Sequence, residues 1–307
     1  LRKLSAALKI VVSAAILLFL FHKVNLSQGA HHLRHLRYSF LLLSIVLIVI
    51  GQFVRAQRLA AMVFGSLGGE KMWRVLRIQM LSFLPGVVSP AKIGEVTKVY
   101  LLQTELNVPA TRGLLCFAAE RVLDLMLLTP LAVGGLYIFF RGGLFFEVSP
   151  GWRHMFMLLS LALAGIAVIG LLWMRSRKIS LRDIWQTAAP HSIVTASVLT
   201  LLYWGIVLAE VWCFCRVAGF SAEIWHMALV VPPALLSSMI PISFSGFGVR
   251  EAAMVIFFQR PPIGTSYEQA LLISLMYDII GLGVPAVMGV LFWLGRKGND
   301  TARAENT

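Results

Sequence analysis

The chain is a series of long apolar runs separated by short polar breaks. Runs near 6–22, 38–62, 109–140, 153–174, 191–218 and 267–295 approach or exceed the roughly 20 residues that a helix needs to cross a bilayer. They predict six spanning helices. Two further apolar segments, about 74–103 and 225–259, are different. Each consists of two arms of about 13 to 16 residues around a break rich in Pro, Gly and Ser, too short for two comfortable crossings. These segments predict re-entrant helical hairpins. A non-helical tip is tolerated at membrane depth only where protein or a wet cavity covers it.

The two broken segments resemble each other. The first break holds Pro85, Ser89, Pro90 and Gly94, and the second holds Pro241, Ser245, Gly246 and Gly248. Aligned on Pro85 and Pro241, Ser82 falls on Ser238, Ser89 on Ser245 and Glu95 on Glu251. Paired, interrupted hydrophobic segments are the sequence signature of a transporter binding site at the bilayer midplane. An odd number of crossings separates them, so the two would enter from opposite sides as inverted repeats. The expected fold is therefore all-α and polytopic, a single transmembrane domain over 1–297 with a polar, disordered tail at 298–307.

Composition agrees with this solvent. Of 307 residues, 58% are hydrophobic and 13% charged, with a mean hydropathy of +0.81. A water-soluble domain so composed would expose too much apolar surface. The net charge of +13 would otherwise point to nucleic acid. Here the basic residues cluster in short loops, where they signal topology and meet anionic lipid headgroups. Arg55, Arg58, Lys71, Arg74 and Arg77 fall on one side, with Arg175, Arg177, Lys178, Arg182, Arg296 and Lys297. The positive-inside rule then places both termini in the cytoplasm; the membrane expected is a bacterial or archaeal inner membrane. The run following Arg2, Lys3 and Lys9 lacks a small-residue cleavage site and reads as a retained first helix. Residues 178–189 read as a short interfacial helix. Cys116, Cys213 and Cys215 lie in apolar runs and read as reduced core residues; no metal-ligand spacing, phosphate loop or cofactor motif is evident.

Charges inside the apolar segments carry the functional signal. Lys92, Glu95 and Lys98 share one helix face by their three-residue steps, and Glu120, Arg121 and Asp124 form a second cluster. Arg250 and Glu251 follow the second break, and Asp278 sits in the last run. Left unpaired at membrane depth, each would cost roughly 2.5–3.5 kcal/mol. They must pair or line a wet cavity. Ser89-Pro90 and Ser245-Gly246 are expected to start helices at the hairpin tips, whose free N–H groups suit an anion. On this reading Lys92 and Arg250 hold a lipid phosphate, with Lys98 close by. Glu95 and Glu251 hold a headgroup amine, balance charge or carry a proton. Arg55, Arg58, Glu120, Arg121, Asp124, Tyr277 and Asp278 line or brace the cavity.

These residues resemble the transmembrane region of lysylphosphatidylglycerol synthases, also called the flippase-like or UPF0104 membrane proteins. The resemblance rests on Arg55 and Arg58 closing the second helix, Pro90-Ala91-Lys92-Ile93-Gly94-Glu95 with Lys98, Glu120-Arg121-Val122-Leu123-Asp124, and Gly246-Phe247-Gly248-Val249-Arg250-Glu251-Ala252. It covers most of the chain in the expected order. The family usually has Arg at Lys92 and Lys98, and often Arg near Tyr277-Asp278. The sequence reads as a stand-alone member without the soluble synthase domain. The resemblance implies translocation of a phospholipid or polyprenyl-phosphate-type lipid, with membrane lipids and lipid-pathway enzymes as partners and no nucleic acid. A transferase acting on lipid, or a non-transporting member of a lipid-pathway complex, is the alternative.

Overall fold

The protein is described by a computed structural model over residues 13, 15–22, 37–65, 69, 71–87, 89, 94–141, 190–238, 246–261 and 263–304, and every regular element among them is helical. The first half comprises α1 (Tyr38–Phe64), α2 (Met72–Val87), α3 (Thr97–Leu106) and α4 (Ala110–Arg141). The second comprises α5 (Pro190–Val217), α6 (Ile224–Ser237), α7 (Val249–Gln259) and a last long helix. That helix runs through α8 (Tyr267–Met276), a π-helical turn (Tyr277–Leu282) and α9 (Gly283–Ala304). Four stretches, Tyr38–Phe64, Ala110–Phe139, Ser192–Val217 and Tyr267–Gly295, are long and apolar enough to cross a membrane. They match four of the six expected spans. Of the span at 6–22, residues 15–22 are seen as helix. The span at 153–174 and the interfacial segment at 178–189 lie outside the described residues.

The halves share one plan, long–short–short–long, and their elements start with the same spacing: Tyr38, Met72 and Thr97 against Pro190, Ile224 and Val249. They meet along α1 and α5. Arg37 N–H donates to the Val217 carbonyl, Gly51 faces Tyr203 and Ile206, and Arg58 reaches Thr200. Rising numbers on one helix meet falling numbers on the other, so the equivalent helices run antiparallel. The axis relating the halves is therefore perpendicular to these spans, in the plane of the membrane. The short helices are exchanged across this axis: α2 packs on α9 and α6 packs on α4. Each exchange is made at a glycine beside a backbone carbonyl. Gly289 abuts the Met80 carbonyl and Gly135 abuts the Leu229 carbonyl, the close backbone approach that small residues permit between membrane helices.

Apolar side chains fill the core and also cover the outside. Leu42, Val46 and Ile50 of α1, Val122, Met126 and Val133 of α4, and Val194 and Val198 of α5 are all exposed. Among the largest fully buried side chains, in contrast, are Arg58, Arg250 and Lys98. Lipid rather than water is the solvent that tolerates this distribution.

The breaks differ in detail from expectation. Pro85 is carried inside the last turn of α2, which ends only at Val87; it has no N–H to donate to the carbonyl four residues back, at Leu81. At the first tip, α3 begins at Thr97 after a 3₁₀ turn at 94–96, later than the Ser89-Pro90 start expected. Ser89 instead accepts a hydrogen bond from Gly94 N–H at 2.6 Å. Gly94 lies so close to the Pro85 carbonyl that no Cβ would fit; the tip folds back on its own first arm there. At the second tip, Gly246 and Gly248 take φ of 84° and 87°. The helix starts at Val249, with the Glu251 carboxylate accepting from Gly248 N–H. Pro90, Lys92, Pro241 and Ser245 lie outside the described residues. The tail also differs, since α9 continues to Ala304; no proline or left-handed glycine follows Lys297 to end it.

Candidate functional site

The long helices α1 and α4, with short α3 and the turn before it, bring four cations and three carboxylates into one network in the first half. Arg58, on the buried face of α1, donates to Asp124 Oδ1 at 2.7 Å and to Thr200 Oγ1 at 3.1 Å, with its Nε 3.5 Å from Glu120. Lys98, in the first turn of α3, donates to Glu120 Oε2 at 2.9 Å and to Gln79 Oε1 of α2 at 3.3 Å. Glu95 is the hub, with Arg121 at 3.1 Å, Arg55 at 3.5 Å and Lys98 at 3.8 Å. Asp124 also accepts from the Trp204 indole at 3.0 Å. Buried carboxylates and cations that share partners in this way escape the penalty of isolated charges. Four cations against three carboxylates leave one positive charge in surplus.

A cavity of about 300 Å³ opens where α1, α4, α5, α6 and the π turn meet. Arg55, Glu95, Arg121 and Asp124 reach it from the network, and Tyr203, Trp204, Glu210, Ser238 and Tyr277 line the remainder with apolar side chains. Arg55 lies over the Tyr203 ring, 5.4 Å from its centroid, a contact that holds the guanidinium in place. Arg58, Lys98 and Glu120 stand behind this wall and brace it.

Arg250, Glu251 and Asp278 form a second cluster away from that lining. Arg250 is 3.1 Å from Glu251 and paired directly with Asp278, with its guanidinium over the rings of Tyr277 and Phe247. Its charge is thus committed within the triad. The counterpart of Arg250 in the first half is Lys98: each is the second residue of its short helix and pairs with a carboxylate on the following long helix. Matching Glu95 with Glu251 in sequence runs about one helical turn out of step with this structural register.

Sequence reasoning found the charged members of the network but missed Gln79, Thr200, Trp204 and Glu210. The first three are polar groups that no charge pattern flags. Glu210 carried a signal, being an acidic residue within the apolar run of α5.

Two inverted halves, lipid-facing apolar spans and a buried ion network beside a cavity define a multi-pass helical membrane protein with a polar interior site. The chain belongs to the family described as the lysylphosphatidylglycerol synthase TM region, which matches residues 6–289. No curated protein and no solved structure matches it. The family makes this a membrane protein that acts on lipids.

Proposed function

We propose that the protein is a lipid translocase, which moves a phospholipid or polyprenyl-phosphate-type headgroup through the cavity between its halves while the acyl chains stay in the bilayer. The observation that carries this reading is the ion network, with one surplus positive charge over its seven members, that reaches the cavity through Arg55, Glu95, Arg121 and Asp124. Arg55 and Arg121 present guanidinium groups to the lumen, a geometry suited to phosphate oxygens. Glu95 holds both in position; Lys98 holds Glu95, Arg58 holds Asp124, and Glu120 holds Lys98 and Arg58. At about 300 Å³ the cavity is at the small end of ligand sites and suits a headgroup rather than a whole lipid. Arg250, Glu251 and Asp278 brace the second half. On this reading the protein lies in a bacterial or archaeal inner membrane with its termini cytoplasmic, and it performs transport rather than covalent chemistry.

The test is flipping in proteoliposomes of fluorescent phosphatidylglycerol and a labelled polyprenyl phosphate. Wild type moves at least one of them. Glu95→Gln and Arg121→Ala each lower the rate by tenfold or more while the protein remains folded. Absence of flipping by folded wild type, or undiminished flipping by both variants, sinks the assignment.

A further inference from the structure

Glu210 has no role in the site as described so far. It lies on α5, lines the cavity and is 5% exposed. Its Oε1 is buried without a hydrogen-bond partner. The repeat explains its isolation. Counted from the starts of α1 and α5, Glu210 occupies the position of Arg58; counted from the starts of α4 and α8, Tyr277 and Gly281 occupy those of Glu120 and Asp124. In the first half this position is a cation answered by two carboxylates. In the second half it is a carboxylate facing a phenol ring and a glycine. A Cβ on Gly281 would come within 2.5 Å of Glu210 Oε1, so the missing side chain makes room for the carboxyl group. Gly281 belongs to the π turn, an irregularity frequent at functional sites.

The charged and titratable groups that share this cavity are Arg55 from α1, Glu95 from the turn before α3, Arg121 and Asp124 from α4, Tyr277 from the π turn and Tyr203 on the same helix as Glu210. The network to which the first four belong carries one surplus positive charge. An ionised Glu210 cancels it, and so does a phosphodiester headgroup. Both together would leave an excess negative charge in a low-dielectric site, where a partnerless carboxylate takes up a proton instead.

We propose that Glu210 is the proton-carrying group of the translocation site, ionised when the cavity is empty and protonated when an anionic headgroup occupies it. This inference rests on the lipid-translocase reading. A hydronium ion in the solvent gives up its proton to a carboxylate oxygen: one O–H bond breaks, leaving water, one O–H bond forms on the carboxyl, and the new O–H is a donor for a headgroup oxygen. Departure of the headgroup releases the proton. Anion and proton therefore cross together, without net movement of charge.

The experiment uses the full chain in detergent, in weakly buffered alkaline solution, where even a buried carboxyl without a partner is ionised before lipid is added, titrated with dihexanoyl-phosphatidylglycerol. Binding is read from tryptophan fluorescence, Trp204 being in the cavity wall, and proton uptake from an indicator dye. Wild type takes up about one proton per headgroup bound, as linkage requires of a single coupled group. Glu210→Gln takes up none per headgroup bound. Glu210→Ala, which removes the carboxyl altogether, likewise takes up none and decides the matter if Glu210→Gln fails to fold. Binding without uptake in wild type, or unchanged uptake per headgroup in either variant, overturns the inference alone. Failure of wild type to bind the lipid overturns the translocase reading as well.

Discussion

Arg58 is only 1% exposed, and a guanidinium at such depth is stable because Asp124, Glu120 and Thr200 surround it. Its removal leaves two carboxylates short of a partner. Breaking a buried pair from one side costs about 3–5 kcal/mol, whereas replacing both partners by apolar groups is often neutral. Arg58→Met should therefore lower the unfolding free energy in detergent by that amount. The double variant Arg58→Met with Asp124→Leu should recover part of it; the recovery stays incomplete because Arg121 and Trp204 also lean on Asp124. Chemical denaturation of the two variants beside wild type checks both expectations. The charges of this network were readable in the sequence as residues that a membrane does not tolerate alone. Which of them pair was not readable, because pairing depends on how α1, α3 and α4 rotate against one another.

At the scale of elements, the exchange of short helices depends on backbone contact at Gly135 and Gly289. The neighbouring Gly134 makes a sharp control, since a Cβ there meets nothing within 4 Å. Gly135→Ala should destabilise the protein by about 1–3 kcal/mol through overpacking. Gly134→Ala should be neutral or stabilising by up to about 1 kcal/mol, through helix propensity. Thermal unfolding of the two variants in one detergent separates these outcomes. The four long described spans were legible because uninterrupted apolar runs have few alternatives. The limits of the short helices were less so. Pro85 reads as a break yet sits inside α2, and Ser89 reads as a helix cap yet binds Gly94 across the tip. Both follow from the tip folding back on its own arm, a tertiary contact that local sequence does not announce. The equivalence of Lys98 and Arg250 was obscured in the same way, since one-turn differences in the loops displaced the more visible glutamates.

For the whole molecule, antiparallel packing of α1 on α5 requires equivalent points of the two halves to face opposite sides of the membrane. Ala110 and Gln259 lie close to the junction between the second short helix and the last long helix of their respective halves, and both are exposed. Cysteines placed there should react with an impermeant maleimide from opposite sides, Ala110→Cys from the cytoplasm and Gln259→Cys from outside. Labelling of both from one side contradicts the inverted arrangement. The native cysteines, all buried, contribute little background.

The ion pairs described above close almost entirely within their own half. Arg55, Arg58, Glu95, Lys98, Glu120, Arg121 and Asp124 all precede α5, and Arg250, Glu251 and Asp278 all follow it. During synthesis the nascent first half can thus mate its charges before the second half has left the ribosome. Each half enters the bilayer as a largely self-neutralised hairpin assembly, and Thr200 and Trp204 add their bonds to Arg58 and Asp124 only on docking. A chain stopped after α4 should accordingly integrate into microsomal membranes with α1 and α4 in their native orientation. Arg58→Met in that truncated chain should lower its integration, because Asp124 and Glu120 would then pass through the insertion machinery with fewer counter-charges.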